Sequence, residues 1–146
     1  PVLHLRLTQA RGRLREVCAE KRFGQIVSLN LTRSDVTDQD IAQLCMSPNG
    51  GSLAWLGLNF CDVGIESIEA LFLSGNLPRL QHLVFVGNRC PDPSDQAVME
   101  EDRFVGYTAS KFGAALEARF GARPWLRRHN PECLFDIATP EYYVGR

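Results

Sequence analysis

Ile26-Val-Ser-Leu29-Asn-Leu31-Thr-Arg-Ser34-Asp-Val36 decides the fold, because the chain repeats its pattern. Leu53-Ala-Trp-Leu56-Gly-Leu58-Asn-Phe-Cys61-Asp-Val63 and Leu80-Gln-His-Leu83-Val-Phe85-Val-Gly-Asn88-Arg-Cys90 fall in the same register. These copies begin at 26, 53 and 80, a constant interval of 27 residues. An earlier copy, Val2-Leu-His-Leu5-Arg-Leu7-Thr-Gln-Ala10-Arg-Gly12, precedes Ile26 by 24 residues. A period of this size marks a chain built from stacked supersecondary units. Inside each copy the alternation has the period of a strand, so Leu5/Leu7, Leu29/Leu31, Leu56/Leu58 and Leu83/Phe85 share one face.

Helical spacing follows each strand. Thr37-Asp-Gln-Asp40 has the form of a capping box with Asp in place of Glu, ahead of Ile41, Leu44 and Cys45. Ile65, Ile68, Leu71 and Phe72 recur at steps of three and four, and Gly75-Asn76 before Pro78 closes that helix. Leu14, Val17, Cys18 and Phe23 give the first copy a similar stripe.

The pattern L-x-x-L-x-L-x-x-N/C-x-L resembles the leucine-rich repeat, and the helical segments resemble its ribonuclease-inhibitor-like subclass. Leu116-Glu-Ala-Arg119-Phe120-Gly121 is similar to a segment that ends repeat runs in bacterial proteins of this type. The resemblance covers about residues 2–93. It implies an α/β leucine-rich-repeat solenoid, with parallel strands on the concave wall and helices on the convex one. That curvature agrees with strand spacing of about 4.8 Å against helix spacing of roughly 8–10 Å. The resemblance also implies that Asn88 and Cys61 turn inward to satisfy backbone groups, that Ser34 is a tolerable variant, and that Ala10 leaves the role unfilled.

Residues 1–93 are thus expected to hold the repeats, and 94–146 to form a C-terminal helical cap in the same domain. Helices are expected through Ala97–Asp102 and over Ser110–Phe120, with Gly106 interrupting between them. Arg123–Asn130 can be laid out as a degenerate last strand with Trp125 inward, but Arg127 would then fall on an inward apolar site, which argues against a true repeat. The tail around Leu134, Phe135, Ile137, Tyr142 and Val144 is apolar enough to fold over the open end.

With 16 basic and 17 acidic side chains in 146 residues, nothing global points to nucleic acid or a membrane. No apolar run approaches the roughly 20 residues that span a bilayer. The start, Pro1-Val-Leu-His, lacks an initiator Met and a signal-peptide layout, so the chain reads as a piece of something longer. Cys18, Cys45, Cys61, Cys90 and Cys133 are odd in number and lack metal spacing, which favours free thiols in a reducing, cytoplasmic compartment. A secreted effector is the alternative.

The strand alternation turns His4, Arg6, Ser28, Asn30, Trp55, Gly57, Asn59, His82 and Val84 toward the open face. Trp55 is expected to stand exposed there, beside the space left by Gly57. Its opposing role is ordinary cross-strand packing on Ser28 and His82. His4 and His82, separated by two intervening strands, lie about 14 Å from each other and cannot share a metal. No nucleophile elbow, phosphate loop or activated cysteine is present in the sequence. The basic stretches around Arg11–Arg22 and Arg119–Arg128 read as solvated faces or contacts for an acidic partner in preference to nucleic-acid sites.

The expected function is therefore a non-enzymatic protein-interaction module without cofactor or metal. It would bind a protein or peptide on its concave face through Trp55, Asn30, Asn59, Arg6 and His82. Alternatives are the substrate-recognition part of a larger enzyme or effector, and a structural segment that self-associates through its exposed first strand.

Overall fold

Ile26–Asn30 is a strand (β2), flanked by β1 (Leu3–Arg6), β3 (Trp55–Gly57) and β4 (His82–Val84). A computed structural model of the chain describes residues 3–129. The four strands pair in chain order, all parallel, with Leu5 opposite Leu29, Leu29 opposite Leu56 and Leu56 opposite Leu83. Parallel neighbours require crossovers, and these are supplied by α1 (Leu14–Ala19), α2 (Asp38–Met46) and α3 (Ile65–Leu73). α2 packs between α1 and α3.

The inward positions follow the sequence reading. Leu29, Leu31, Leu56, Leu58, Leu83 and Phe85 are all buried, in one core with Leu14, Cys18, Ile41, Leu44, Ile68, Leu71 and Phe72 from the helices. The α3 stripe begins one step later than expected: Ile65 opens the helix and is exposed. Thr37 forms the anticipated capping box, its Oγ1 accepting from the Asp40 N–H at 3.2 Å while Asp40 Oδ2 accepts from the Thr37 N–H at 2.8 Å.

Side chains one repeat apart join the turns. Asn88 Oδ1 accepts from the N–H groups of Cys61 (3.0 Å) and Val63 (3.3 Å), and its Nδ2 donates to Leu58 O (2.8 Å) and Phe85 O (3.2 Å). Cys61 Sγ donates to Leu31 O at 2.8 Å. Ser34 Oγ makes no such bond, and the turn at Ala10 is served by the neighbouring Asp35, whose Oδ1 accepts from the Ala10 and Arg11 N–H groups at 2.8 and 3.0 Å. A second ladder crosses the helix C-termini. Ser47 and Asn49 both donate to Cys18 O, and Ser74 and Asn76 both donate to Cys45 O.

Beyond β4 the structure corrects the expected helical cap. Residues 97–102 are not helical: β5 (Gln96–Glu100) and β6 (Arg103–Thr108) form an antiparallel hairpin, joined by β7 (Arg128–His129) in a three-stranded sheet. Glu101 and Asp102 both adopt left-handed backbone, at φ 49° and 63°. Two such residues in succession make the tight turn whose twist matches a hairpin, and a helix excludes them. Gly106 therefore lies inside a strand instead of breaking a helix.

The second helix is present as α4 (Lys111–Phe120), capped by Ser110 Oγ, which accepts from the Gly113 N–H at 3.0 Å. Phe120 stacks on Phe72 at 5.3 Å between ring centroids, and Trp125 meets the same ring edge-on at 4.7 Å. Trp125 is buried, in a single 3-10 turn (Pro124–Leu126) that precedes β7. Among the described residues the architecture is mixed α/β, with a parallel and a small antiparallel sheet and four α-helices. The expected covering tail and Cys133 lie outside the described residues.

Leu56→Ala should lower stability by about 2–5 kcal/mol, the usual loss at a buried Leu. Leu73→Ala, at a helix position left exposed, should stay within about 0.5 kcal/mol of the parent. Urea unfolding of the two variants beside the parent checks both values.

Candidate functional site

The sheet register aligns the residues singled out in the sequence. His4, Ser28, Trp55 and His82 stand in one row, and Arg6, Asn30, Gly57 and Val84 in the next. Their accessibility is not what the alternation suggested. Trp55, Asn30 and His82 are only 2%, 5% and 2% exposed, so the expectation of an open Trp55 is overturned. Gly57 is the local reason. The indole lies along its own strand in the space a side chain would fill, and a Cβ on Gly57 would come within 2.5 Å of Trp55 Cη2. Arg6 is exposed and Asn59 half-buried. Asn30 Oδ1 accepts from the Thr32 N–H at 3.0 Å, and Asn59 Oδ1 from the Val86 N–H at 2.7 Å.

The exposed features gather where the strands turn toward the helices. Arg33, Phe60 and Gly87 occupy the same place in successive copies, and all are left-handed, at φ 61°, 54° and 79°. The Arg33 guanidinium lies 4.6 Å from the Phe60 ring centroid. The ring also rests on Gly87, where a Cβ would come within 2.2 Å of Phe60 Cδ1. Phe60 is nevertheless 47% exposed, and Val86 beside Gly87 is 43% exposed. Left-handed backbone at a bulky aromatic costs on the order of 1–3 kcal/mol, and such strain collects at functional surfaces. Reading residues Arg33, Phe60 and Gly87 as one column would have found this ledge, since all three sit at the eighth position of their copies.

A groove of about 450 Å³ runs beneath Phe60, between Ser34, Asp35 and Asp38 on one side and Asp62 and Arg89 on the other. Arg89 anchors it, bonded to the Asp38 carboxylate and donating from Nε to Asp62 O at 2.9 Å. Burial alone would raise the Asp38 pKa. Hydrogen bonds from Ser67 and the Gly64 N–H, with the charge of Arg89, outweigh it and hold that carboxyl below its ordinary range. The Ala10 and Arg11 N–H groups do the same for Asp35. Ser34 Oγ is buried in the groove wall without a hydrogen-bond partner. A second groove, of about 620 Å³, shares Arg89 and continues past Val86 to Asp92, Asp95 and Tyr107.

The four thiols among the described residues are poor nucleophiles at neutral pH. Burial pushes Cys18 and Cys45 up to about 12, and Cys61 and Cys90 up to about 11. All four are free. Among the described residues no three His, Cys, Asp or Glu side chains gather as metal ligands would, and no helix is long and apolar enough to cross a membrane. Comparison of the chain with protein-family models, curated proteins and solved structures finds no match.

Three outcomes are expected. Iodoacetamide near pH 8 should label Cys18, Cys45 and Cys61 far more slowly in the native protein than in guanidinium, as read by mass spectrometry. Gly87→Ala should cost about 1–2 kcal/mol from left-handed strain alone, measured by chemical denaturation. The depressed Asp38 pKa contributes stability that is present above the ordinary carboxylate range and lost as pH falls through the native value. Asp38→Asn should therefore flatten the fall in melting temperature below about pH 4.

Proposed function

We propose that this chain is a protein-interaction module of the leucine-rich-repeat type, a short curved solenoid that takes a protein or peptide partner. The observation that carries this reading is Phe60. A solvent-exposed aromatic held in costly backbone, stacked against Arg33 and seated on a glycine, is a pre-organised contact. Aromatic and Arg side chains dominate binding hot spots, and rigid presentation lowers the entropy lost on association. In this reading Trp55, Asn30 and His82 stiffen the sheet. Asn59 holds Val86 beside Phe60 through its backbone, and Arg6 borders the strand face. A reducing, cytoplasmic setting suits the free buried thiols.

Phe60→Ala should retain the parent's melting temperature within a few degrees and lose specific partners in a quantitative pull-down. Trp55→Ala should lower the melting temperature instead. An unchanged partner set for Phe60→Ala would remove the ledge from this reading.

A second reading is supported by the sheet edge. β1 pairs only with β2 among the described residues, and Leu3, Leu5, Val17, Phe23 and Ile26 line an open groove of about 440 Å³ beside it. An uncovered edge with apolar flanks favours pairing with another chain. Light scattering over a dilution series would show a mass that rises with concentration if this edge self-associates, and a constant monomer mass if it does not.

A further inference from the structure

We infer that the turn edge docks an extended, basic peptide segment, with one apolar side chain of that segment seated on Phe60 and Val86. This rests on the reading of the chain as an interaction module and names the class of partner. Three independent observations converge on it.

The first is shape. The two grooves share Arg89 and run consecutively along the turns, so together they form a track open to an extended chain. Phe60 and Val86, both near half exposed, stand beside that track as its apolar step. The second is charge. Along the two grooves five aspartates face Arg11 and Arg89, with Arg33 on the Phe60 ring as the third cation of this edge. Arg89 is already engaged by Asp38 and Asp62, at 3.6 Å from the Asp62 carboxylate. Asp62, with a side chain 89% exposed, and Asp95, also exposed, are left facing solvent. Lys or Arg side chains flanking an apolar residue complement this arrangement, and an acidic segment would be repelled by it. The third is Ser34. The residue is 95% buried in the wall of the first groove and its enclosed hydroxyl has no partner, so a small shift of that wall on binding would satisfy a polar group now left unpaired.

The alternatives fit less well. The groove at the β1 edge carries Glu20 and Arg22, one charge of each sign, and the described cysteines are held protonated by burial. Arg119 and Arg127 are spent on Glu69 and Glu117.

The test uses the full chain as bait for a random-peptide display library. A selected peptide is then measured by fluorescence polarisation against the parent, Phe60→Ala, the double variant Asp62→Asn/Asp95→Asn, and Met46→Ala. Met46 is exposed at the far end of α2 from Asp38 and serves as the unaffected control. Selected sequences should be rich in Lys and Arg around an aliphatic or aromatic residue. Phe60→Ala should weaken binding at least about tenfold, and the double Asp variant a few-fold, with the latter loss shrinking as salt rises. Thermal melts confirm that each variant is folded. Selection of acidic or neutral peptides, of no peptides, or of peptides indifferent to both Phe60→Ala and the Asp variant would overturn the inference. If partners are still captured in the pull-down while any of these occurs, the module reading survives and only the basic-peptide assignment falls. If neither peptides nor partners depend on this edge, both fall.

Discussion

Every turn that leads from a strand to a helix in this chain must leave a spacing of about 4.8 Å without stranding its backbone polar groups. Side chains from the neighbouring copy solve that problem, and the rest of the structure depends on the solution. Asn88 serves four backbone groups at once, Cys61 serves Leu31 O, and Asp35 serves the turn at Ala10 in place of Ser34. Each bond reaches about one repeat along the chain, so no copy is fully satisfied alone. Removing one such partner would leave a buried donor or acceptor exposed to the full cost of desolvation, which exceeds the value of the bond itself. That asymmetry fixes the copies in register more firmly than the apolar contacts, which tolerate small shifts.

The same constraint produces the strain at Phe60. To bring Cys61 Sγ and the Asn88 amide back under the turn, the preceding residue must pass through left-handed backbone, and it does so in three successive copies. Glycine fills that place at position 87 at no steric cost. At 60 the chain keeps an aromatic there, and at 33 an arginine that stacks on it. A turn geometry demanded by hydrogen bonding thus becomes a device for presenting side chains outward in a fixed column. Because the backbone is set by the ladder beneath, the ring has little freedom to lose on contact with a partner.

Strand positions, inward residues and the capping box were legible because each follows from a local period or from one short-range hydrogen bond, and the role of Asn88 and Cys61 because the resemblance implies it. The register of His4, Ser28, Trp55 and His82 was legible for the same reason. The exposure of Trp55 was not, since alternation assigns a side to a residue and says nothing of where a long side chain then lies. Gly57 was read as leaving room beside the indole; in the structure the indole fills that room itself. The hairpin at 96–108 was missed because Gln96-Ala-Val-Met-Glu-Glu-Asp has good helical composition, and the deciding feature, two left-handed residues at Glu101 and Asp102, carries no glycine or asparagine to announce it. The ladder through Ser47/Asn49 and Ser74/Asn76 was open to detection, since those residues are spaced by the same 27 residues as the strands.

The far end of the stack shows what happens when the repeating partner runs out. After β4 no further copy supplies an apolar column, and Phe72 would lie uncovered at the end of the helix layer. The chain covers it with rings in place of a repeat: Phe120 face-on, Trp125 edge-on, and the Arg123 guanidinium 5.5 Å from the ring centroid while donating to Phe72 O at 2.8 Å. That last bond reproduces the logic of Ser47 on Cys18 and Ser74 on Cys45. Cys18, Cys45 and Phe72 succeed one another at intervals of 27 residues, and each carbonyl accepts from the segment that packs on it. Arginine makes the bond across the longer gap that a helix and a 3-10 turn leave, which serine could not span. The rule that orders the repeats therefore persists beyond them, with its acceptor unchanged and only the donor adapted to the distance.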